Sequence, residues 1–424
     1  MILVKRHKWF FLVLLLCLVL AGAGIIPVSG QSLPGGSMFF TSSRTHKVQI
    51  RFRLVNNLII IPLVINHSDT LRFILDTGIE NTIISELSLG ESLALRYKRV
   101  TRVTGLGMGK PVDAVVSTGN TFSLPGIEGT GQTVFVLLQD VFELSQALGM
   151  RVHGLIGYRL FSNFIVRIDY ERNVITLYDP DHYHPRPRRH TTELPLTFAT
   201  TKPYVEARIV DHAGDTVPVR LLVDTGLSFG LWLLPGSSPG ISIPPHSVPT
   251  YLGTGLNGRI NGRLARLSSF ILGPYIFPDP VVGFPDTLAF QPVRTIDGRN
   301  GTLGSEILRR FDVVIDYPHQ KMILHPNRFF REPFRTNNAG IYITAPIPGF
   351  RYYIISDIRK NSPACRAGLK KGDRLYKING KNTDHMSMNE IYRIFQKKPG
   401  SLIRIKVIRN GLIFDTRFYL EKFL

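Results

Sequence analysis

The sequence predicts a mostly-β protein: two tandem β lobes related by duplication, then a smaller β-rich domain at the C-terminal end. Three observations predict it. The chain has 424 residues, 44% of them hydrophobic, enough for two or three domains with sizeable cores. Its 38 Gly and 28 Pro break the apolar runs into short pieces, and few long helical periods remain. Finally, a set of landmarks occurs twice in the same order.

The repeat is anchored by two apolar runs that end in Asp-Thr-Gly. Phe73-Ile74-Leu75 leads into Asp76-Thr77-Gly78, and Leu221-Leu222-Val223 leads into Asp224-Thr225-Gly226. Gly105 and Gly107 follow the first Asp at the spacing with which Gly253 and Gly255 follow the second. Leu155-Ile156-Gly157 answers to Thr302-Leu303-Gly304, and the run from Phe164 to Tyr170 answers to that from Phe311 to Tyr317. Such register over whole lobes is the mark of a duplication. Each lobe opens on a predicted hairpin: Leu58 to Asn66 returning through Leu71 to Leu75, and Tyr204 to Val210 returning through Val217 to Val223. Each has a short helical candidate near its end, Tyr158 to Asn163 and Ser305 to Arg310, and the first has an extra one at Asp140 to Leu148. The expected domain limits are 31–180 and 181–330, with 338–424 as the third domain.

A buried strand should not end in an isolated carboxylate, because an unpaired buried charge is costly. The duplication offers a resolution, in which Asp76 and Asp224 meet and partner each other. Two carboxyls in contact cannot both ionise, so they share a proton. The ionised one can take a proton from water while the other gives one to a carbonyl oxygen. Thr77 and Thr225 offer hydroxyls for bonds across the two-fold, and Gly78 and Gly226 permit close approach and supply amides. Gly105, Gly107, Gly253 and Gly255 are candidate mobile tips that close over a substrate.

These motifs resemble the retropepsin-like aspartic proteases, over about 270 residues from Leu58 to Pro326. The resemblance implies an aspartic endopeptidase with Asp76 and Asp224 as catalytic residues and one active site in a single-chain pseudo-dimer. Thr302 departs from the family's apolar residue. Ile79 and Leu227 stand where pepsins place a hydroxyl residue, which implies a less acidic dyad and activity nearer neutral pH. A rival reading is an inert peptide-binding scaffold. The last 85 or so residues resemble a PDZ domain on Ser362-Pro363-Ala364, Ala367-Gly368-Leu369, Gly372-Asp373 and Ile378-Asn379-Gly380. That resemblance implies peptide capture at a loop made of Gly340, Ile341, Tyr342 and Ile343, with the peptide added as a strand. Protein or peptide substrates and a C-terminal peptide ligand are the expected partners.

Residues 1–30 read as a secretory signal, with Lys5, Arg6 and Lys8 before an apolar run from Trp9 to Leu20, or as an uncleaved anchor that would hold the protein on a membrane. The expected location is therefore the cell envelope, the periplasm or the outside. Residues 31 to 48 read as a pro-segment or a flexible start. Net charge is +20, but the basic residues are scattered and no nucleic-acid module is visible, so no nucleic-acid partner is expected. Cys365 is alone once Cys17 is removed with the signal, and reads as a small buried residue. His182, His184 and His190 lie in a Pro-broken linker without ligand spacing, so no metal or cofactor is expected. A monomer is expected, because each lobe supplies one Asp.

Overall fold

The computed structural model describes residues 36–424 apart from 186–187, 212 and 295–297. The basic, apolar start of the chain lies outside the described residues. Among those described, no helix is long and apolar enough to cross a membrane.

The described residues are mostly β, in four sheets. One nine-stranded sheet belongs to the first lobe and one ten-stranded sheet to the second, and each carries its Asp strand in the middle. Leu71–Leu75 pairs antiparallel with Leu58–Ile65 and parallel with Gly154–Ile156. Thr216–Asp224 pairs antiparallel with Lys202–Val210 and parallel with Gly301–Gly304. Strands flanked on both sides and covered on both faces read as continuous apolar runs. Ile74 and Leu222 are buried as well as Phe73, Leu75, Leu221 and Val223, which accounts for why these two stretches show no polar alternation.

A six-stranded sheet joins the lobes, three strands from each. Its order is Thr192–Pro195, Lys321–Pro326, Phe311–Asp316, Ile165–Asp169, Val174–Tyr178, Lys47–Arg51. The two central strands are the duplicated runs, paired antiparallel across the pseudo-two-fold with Ile168 opposite Val313. Arg167 clasps Asp312 there through Nε at 2.9 Å and a terminal nitrogen at 2.6 Å. A bidentate, half-buried pair fixes register as well as adding energy.

Several sequence expectations need adjustment. The stretch from Ser37 is not a loose start: Ser37–Phe40 pairs with Ile127–Leu137, and Lys47–Arg51 closes the joint sheet. The extra helix of the first lobe is shorter than expected, Leu144–Leu148. A helix at Thr287–Arg294 was not anticipated. The stretch from Pro326 to Asn338, between the second lobe and the third domain, is packed. Arg310, buried, donates to the carbonyls of Phe330 and Glu332 and stacks over Phe334. Cys365 is exposed, not buried. It sits on the four-residue helix Pro363–Arg366, whose inner face is taken by Pro363 and Ala364.

The C-terminal domain has its own core of Ile341, Ile355, Ile391, Phe395, Ile403 and Ile405 among others. Its helix Met388–Phe395 begins with a capping box, with Ser387 and Glu390 satisfying each other's backbone N–H.

Candidate active site

The two Asp-Thr-Gly turns meet. The Asp76 and Asp224 carboxyls hydrogen-bond to each other, and beneath them the threonines cross. Thr77 Oγ1 donates to the Val223 carbonyl at 2.6 Å and accepts from Thr225 N at 3.0 Å. Thr225 Oγ1 donates to the Leu75 carbonyl at 2.8 Å and accepts from Thr77 N at 3.1 Å. Both threonines are buried, so all four bonds form away from water, where leaving any one unmade is expensive. The residues predicted as dyad and support, Asp76, Thr77, Gly78, Asp224, Thr225 and Gly226, are all brought together.

Each carboxylate is held by the amide two residues on, Gly78 N to Asp76 Oδ1 at 2.7 Å and Gly226 N to Asp224 Oδ1 at 2.8 Å. A Cβ on Gly226 would stand 2.4 Å from Asp76 Cγ, so only glycine lets the turns come this close.

The two acids are not equivalent. Burial pushes Asp76 well above the usual carboxylate range, and the Asp224 charge adds to the rise, against which Gly78 gives one amide. Asp224 is also raised by burial, but the Arg299 charge, the amides of Gly226 and Leu227 and the hydrogen bond from Asp76 all pull it back. Asp76 is therefore the more strongly raised of the two, although the Lys202 charge also pulls it down. Arg299 was missed at the sequence level. It is buried and donates to Thr302 Oγ1 and to the Gly301 carbonyl at 3.0 Å. That contact explains Thr302, the departure from the family's apolar residue: the hydroxyl receives a buried cation.

The glycine-rich tips are a second correction. The first tip lies between Tyr97–Val103 and Val112–Leu124, as expected for Gly105 and Gly107. In the second lobe Gly253 and Gly255 belong to the strand Ser247–Gly255, and the turn is Leu256-Asn257, closed by Gly258 at φ +82°. The Asn-Gly pair was the available signal. The tips are tied together rather than loose. Asn257 Oδ1 accepts from Gly105 N at 3.0 Å, Asn257 N donates to the Leu106 carbonyl at 2.8 Å, and Gly109 N donates to the Asn257 carbonyl at 2.7 Å. A Cβ on Gly107 would meet the Asn257 carbonyl at 2.4 Å, and one on Gly255 the Leu106 carbonyl at 2.3 Å. Leu256 shares an apolar cluster with Ile74 and Ile79, which flank the first Asp-Thr-Gly.

Comparison with known proteins agrees with this geometry. The family described as aspartyl protease matches residues 61–160, and the family described as PDZ domain matches residues 354–409. The chain carries an aspartyl protease domain and a PDZ domain. The aspartyl protease match lies within the first lobe; the second repeats its Asp strand, threonine bonds and supporting strand. Among curated proteins, the carboxy-terminal processing protease CtpA of Bacillus subtilis is 37% identical over 59 residues, 14% of this chain and 12% of that protein. The serine endoprotease DegS of Haemophilus influenzae is 32% identical over 71 residues, 16% of this chain and 20% of that protein. The chain thus spans no more than a fifth of either relative.

In the PDZ domain, the residues expected to form a capture loop are mostly strand. Ile341–Thr344 is an edge strand, and only Gly340, at φ +77°, belongs to the turn before it. Away from these sites, one group of ligand-type side chains converges among the described residues: His46, Asp179 and His182. Both Nδ1 atoms reach Asp179 Oδ2, at 3.1 and 2.8 Å, and the rings stack 3.7 Å apart. Stacked rings aim their lone pairs side by side, not at a common point, so a metal fits only if a ring turns. As it stands the group is a hydrogen-bonded clasp between the linker and the start of Lys47–Arg51.

Proposed function

We propose that this protein is an exported aspartic endopeptidase acting as a single chain, its PDZ domain binding peptides or a partner. The observation that carries the reading is the pair of carboxyls in contact, Asp76 buried and Asp224 half-buried, braced by Thr77 and Thr225. In this reaction Asp224 takes a proton from a water lying between the acids, and the resulting hydroxide attacks the scissile carbonyl carbon. Asp76 gives its proton to the carbonyl oxygen, forming a neutral tetrahedral diol. Collapse returns a proton from the diol to Asp76, and Asp224 passes its proton to the departing nitrogen, which restores the starting state. No acyl-enzyme forms. The weakened acidity of both carboxyls favours activity nearer neutral pH than the pepsin extreme, and an optimum below about pH 3.5 would count against the dyad as described.

DegS is by name a serine enzyme, but its likeness is limited to 71 residues, the length of one small domain, and the paired carboxyls need no serine. Export rests on the basic and apolar start of the sequence. The test is cleavage of casein or a peptide library by the purified protein, with Asp76→Asn and Asp224→Asn as controls. Activity lost in both and untouched by a serine-directed sulfonyl fluoride supports the reading, and activity surviving both substitutions refutes it.

A further inference from the structure

A PDZ domain takes a peptide by offering the free edge of a strand beside a helix. Here that edge is already in use. Its outward-facing groups recur at alternate residues. The Ile341 carbonyl accepts from Asn337 Nδ2 at 2.7 Å. Ile343 N donates to Tyr392 Oη at 3.2 Å, and the same hydroxyl donates back to the Ile343 carbonyl at 3.4 Å. Ala345 N donates to the Gln146 carbonyl of the first lobe at 3.0 Å. Gly340 N, in the turn before the strand, is taken by Asn337 Oδ1 at 3.0 Å. An incoming chain would have to displace the Gln146 carbonyl and the Tyr392 hydroxyl to find partners.

The same face of the PDZ domain grips the protease lobes at two further places. Tyr342 Oη shares a hydrogen bond of 3.0 Å with Thr250 Oγ1, on the strand that rises to the second flap tip. Asn389 accepts from Asn56 N at 3.1 Å and donates to the Leu54 carbonyl at 3.3 Å, at the turn that opens the first-lobe hairpin. Two of the three footholds converge on one apolar cluster. Leu148 from the Gln146 helix and Val55 from that turn pack there with Val103 and Val112 of the first flap and Leu256 of the second tip. The third, Thr250, sits on the flap strand itself. The domain therefore braces both flaps in their joined state.

We propose that the PDZ domain is an intramolecular lock on the flaps. The first-lobe segment Gln146–Gly149 docks at the end of its peptide-accepting edge, through the Gln146 carbonyl on Ala345 N, and an extended peptide that takes that edge releases the flaps. The effect on turnover rests on the protease reading above; the lock itself does not.

A disulfide tests it. A Cβ built on Gly149 lies 3.7 Å from Ala345 Cβ, within the span a disulfide bridges. The variant is Gly149→Cys with Ala345→Cys, in full chain with Cys17 and Cys365 changed to Ser. Amide hydrogen exchange is followed at the flap tips, residues 105–109 and 253–258. The oxidised form is expected to exchange there about tenfold more slowly than the reduced form, and to cleave peptides correspondingly more slowly until reductant is added. Equal exchange in the two forms overturns the lock. Slowed exchange with no cleavage in either form keeps the lock and sinks the protease. Because Gly149 has φ +68°, where cysteine is strained, a second variant leaves the backbone alone. Thr250→Val removes the bond to Tyr342, and faster exchange at both tips is expected. Unchanged exchange at both tips overturns the lock as well.

Discussion

The two lobes share a scaffold yet treat their carboxyls differently. Each has an apolar strand ending in Asp-Thr-Gly, a parallel strand beneath it and a threonine reaching across. In the first lobe burial and the Asp224 charge raise Asp76 well above the usual range, against one amide from Gly78 and the charge of Lys202. In the second, burial also raises Asp224, but the buried Arg299 charge and the Gly226 amide hold it lower. Duplication supplies the geometry of a shared proton, and small departures from symmetry decide which acid holds it.

The harshest way to break the comparison is to remove one acid. Asp76→Asn and Asp224→Asn should each reduce peptide cleavage by about 10²–10⁴-fold, the usual worth of a positioned proton donor or acceptor. Steady-state rates on one peptide check it. If instead each loses about half, the lobes act separately. The crossed threonines come next. Thr77→Val keeps the shape but strands the Val223 carbonyl and the Thr225 N–H, each costing about 1–3 kcal/mol when buried. Thr225→Val does the same to Leu75 and Thr77. Denaturant unfolding should show a loss of about 2–5 kcal/mol for either; a much smaller loss in one would show that the lobes bear the grip unequally.

Burial also ties the dyad to stability. Asp76 is raised in the folded state, so its contribution is fully present below the unfolded carboxyl range. It is lost as pH rises through the folded value, at about 1.4 kcal/mol for each unit of that rise. Asp76→Asn cannot ionise, so its stability should fall less than the parent's as pH rises from the unfolded carboxyl range, while Asp224 and Glu306, also raised by burial, still contribute in both. Thermal unfolding across that range checks it, and parallel curves would mean that the proton does not reside on Asp76.

The dyad was legible because it is encoded twice, in register, as an apolar run that stops at an acid. The hairpins Leu58 to Leu75 and Tyr204 to Val223 were legible from local chemistry. What escaped depends on contacts distant in sequence. Asn257 looks like any turn residue until the tip at Gly105 arrives 152 residues away. Cys365 read as buried because cysteine usually is, yet a four-residue helix has room to bury one side only. The PDZ edge read as a free loop because Gln146, its partner, belongs to another domain.

The mildest prediction concerns Arg299, where the lobes differ most. Its charge favours the ionised form of Asp224, so Arg299→Met, with Thr302→Val to avoid a stranded hydroxyl, should raise the Asp224 carboxyl. The acid limb of the pH–rate profile then moves to higher pH, because the base is protonated over a wider range. At a fixed pH on that limb the rate should fall about 2–5-fold, less than the tenfold that one full unit gives. Arg299→Lys should keep the limb nearer its place. A limb unmoved in the Met variant would mean that Asp224 is not the base, and the roles of the two lobes would have to be exchanged.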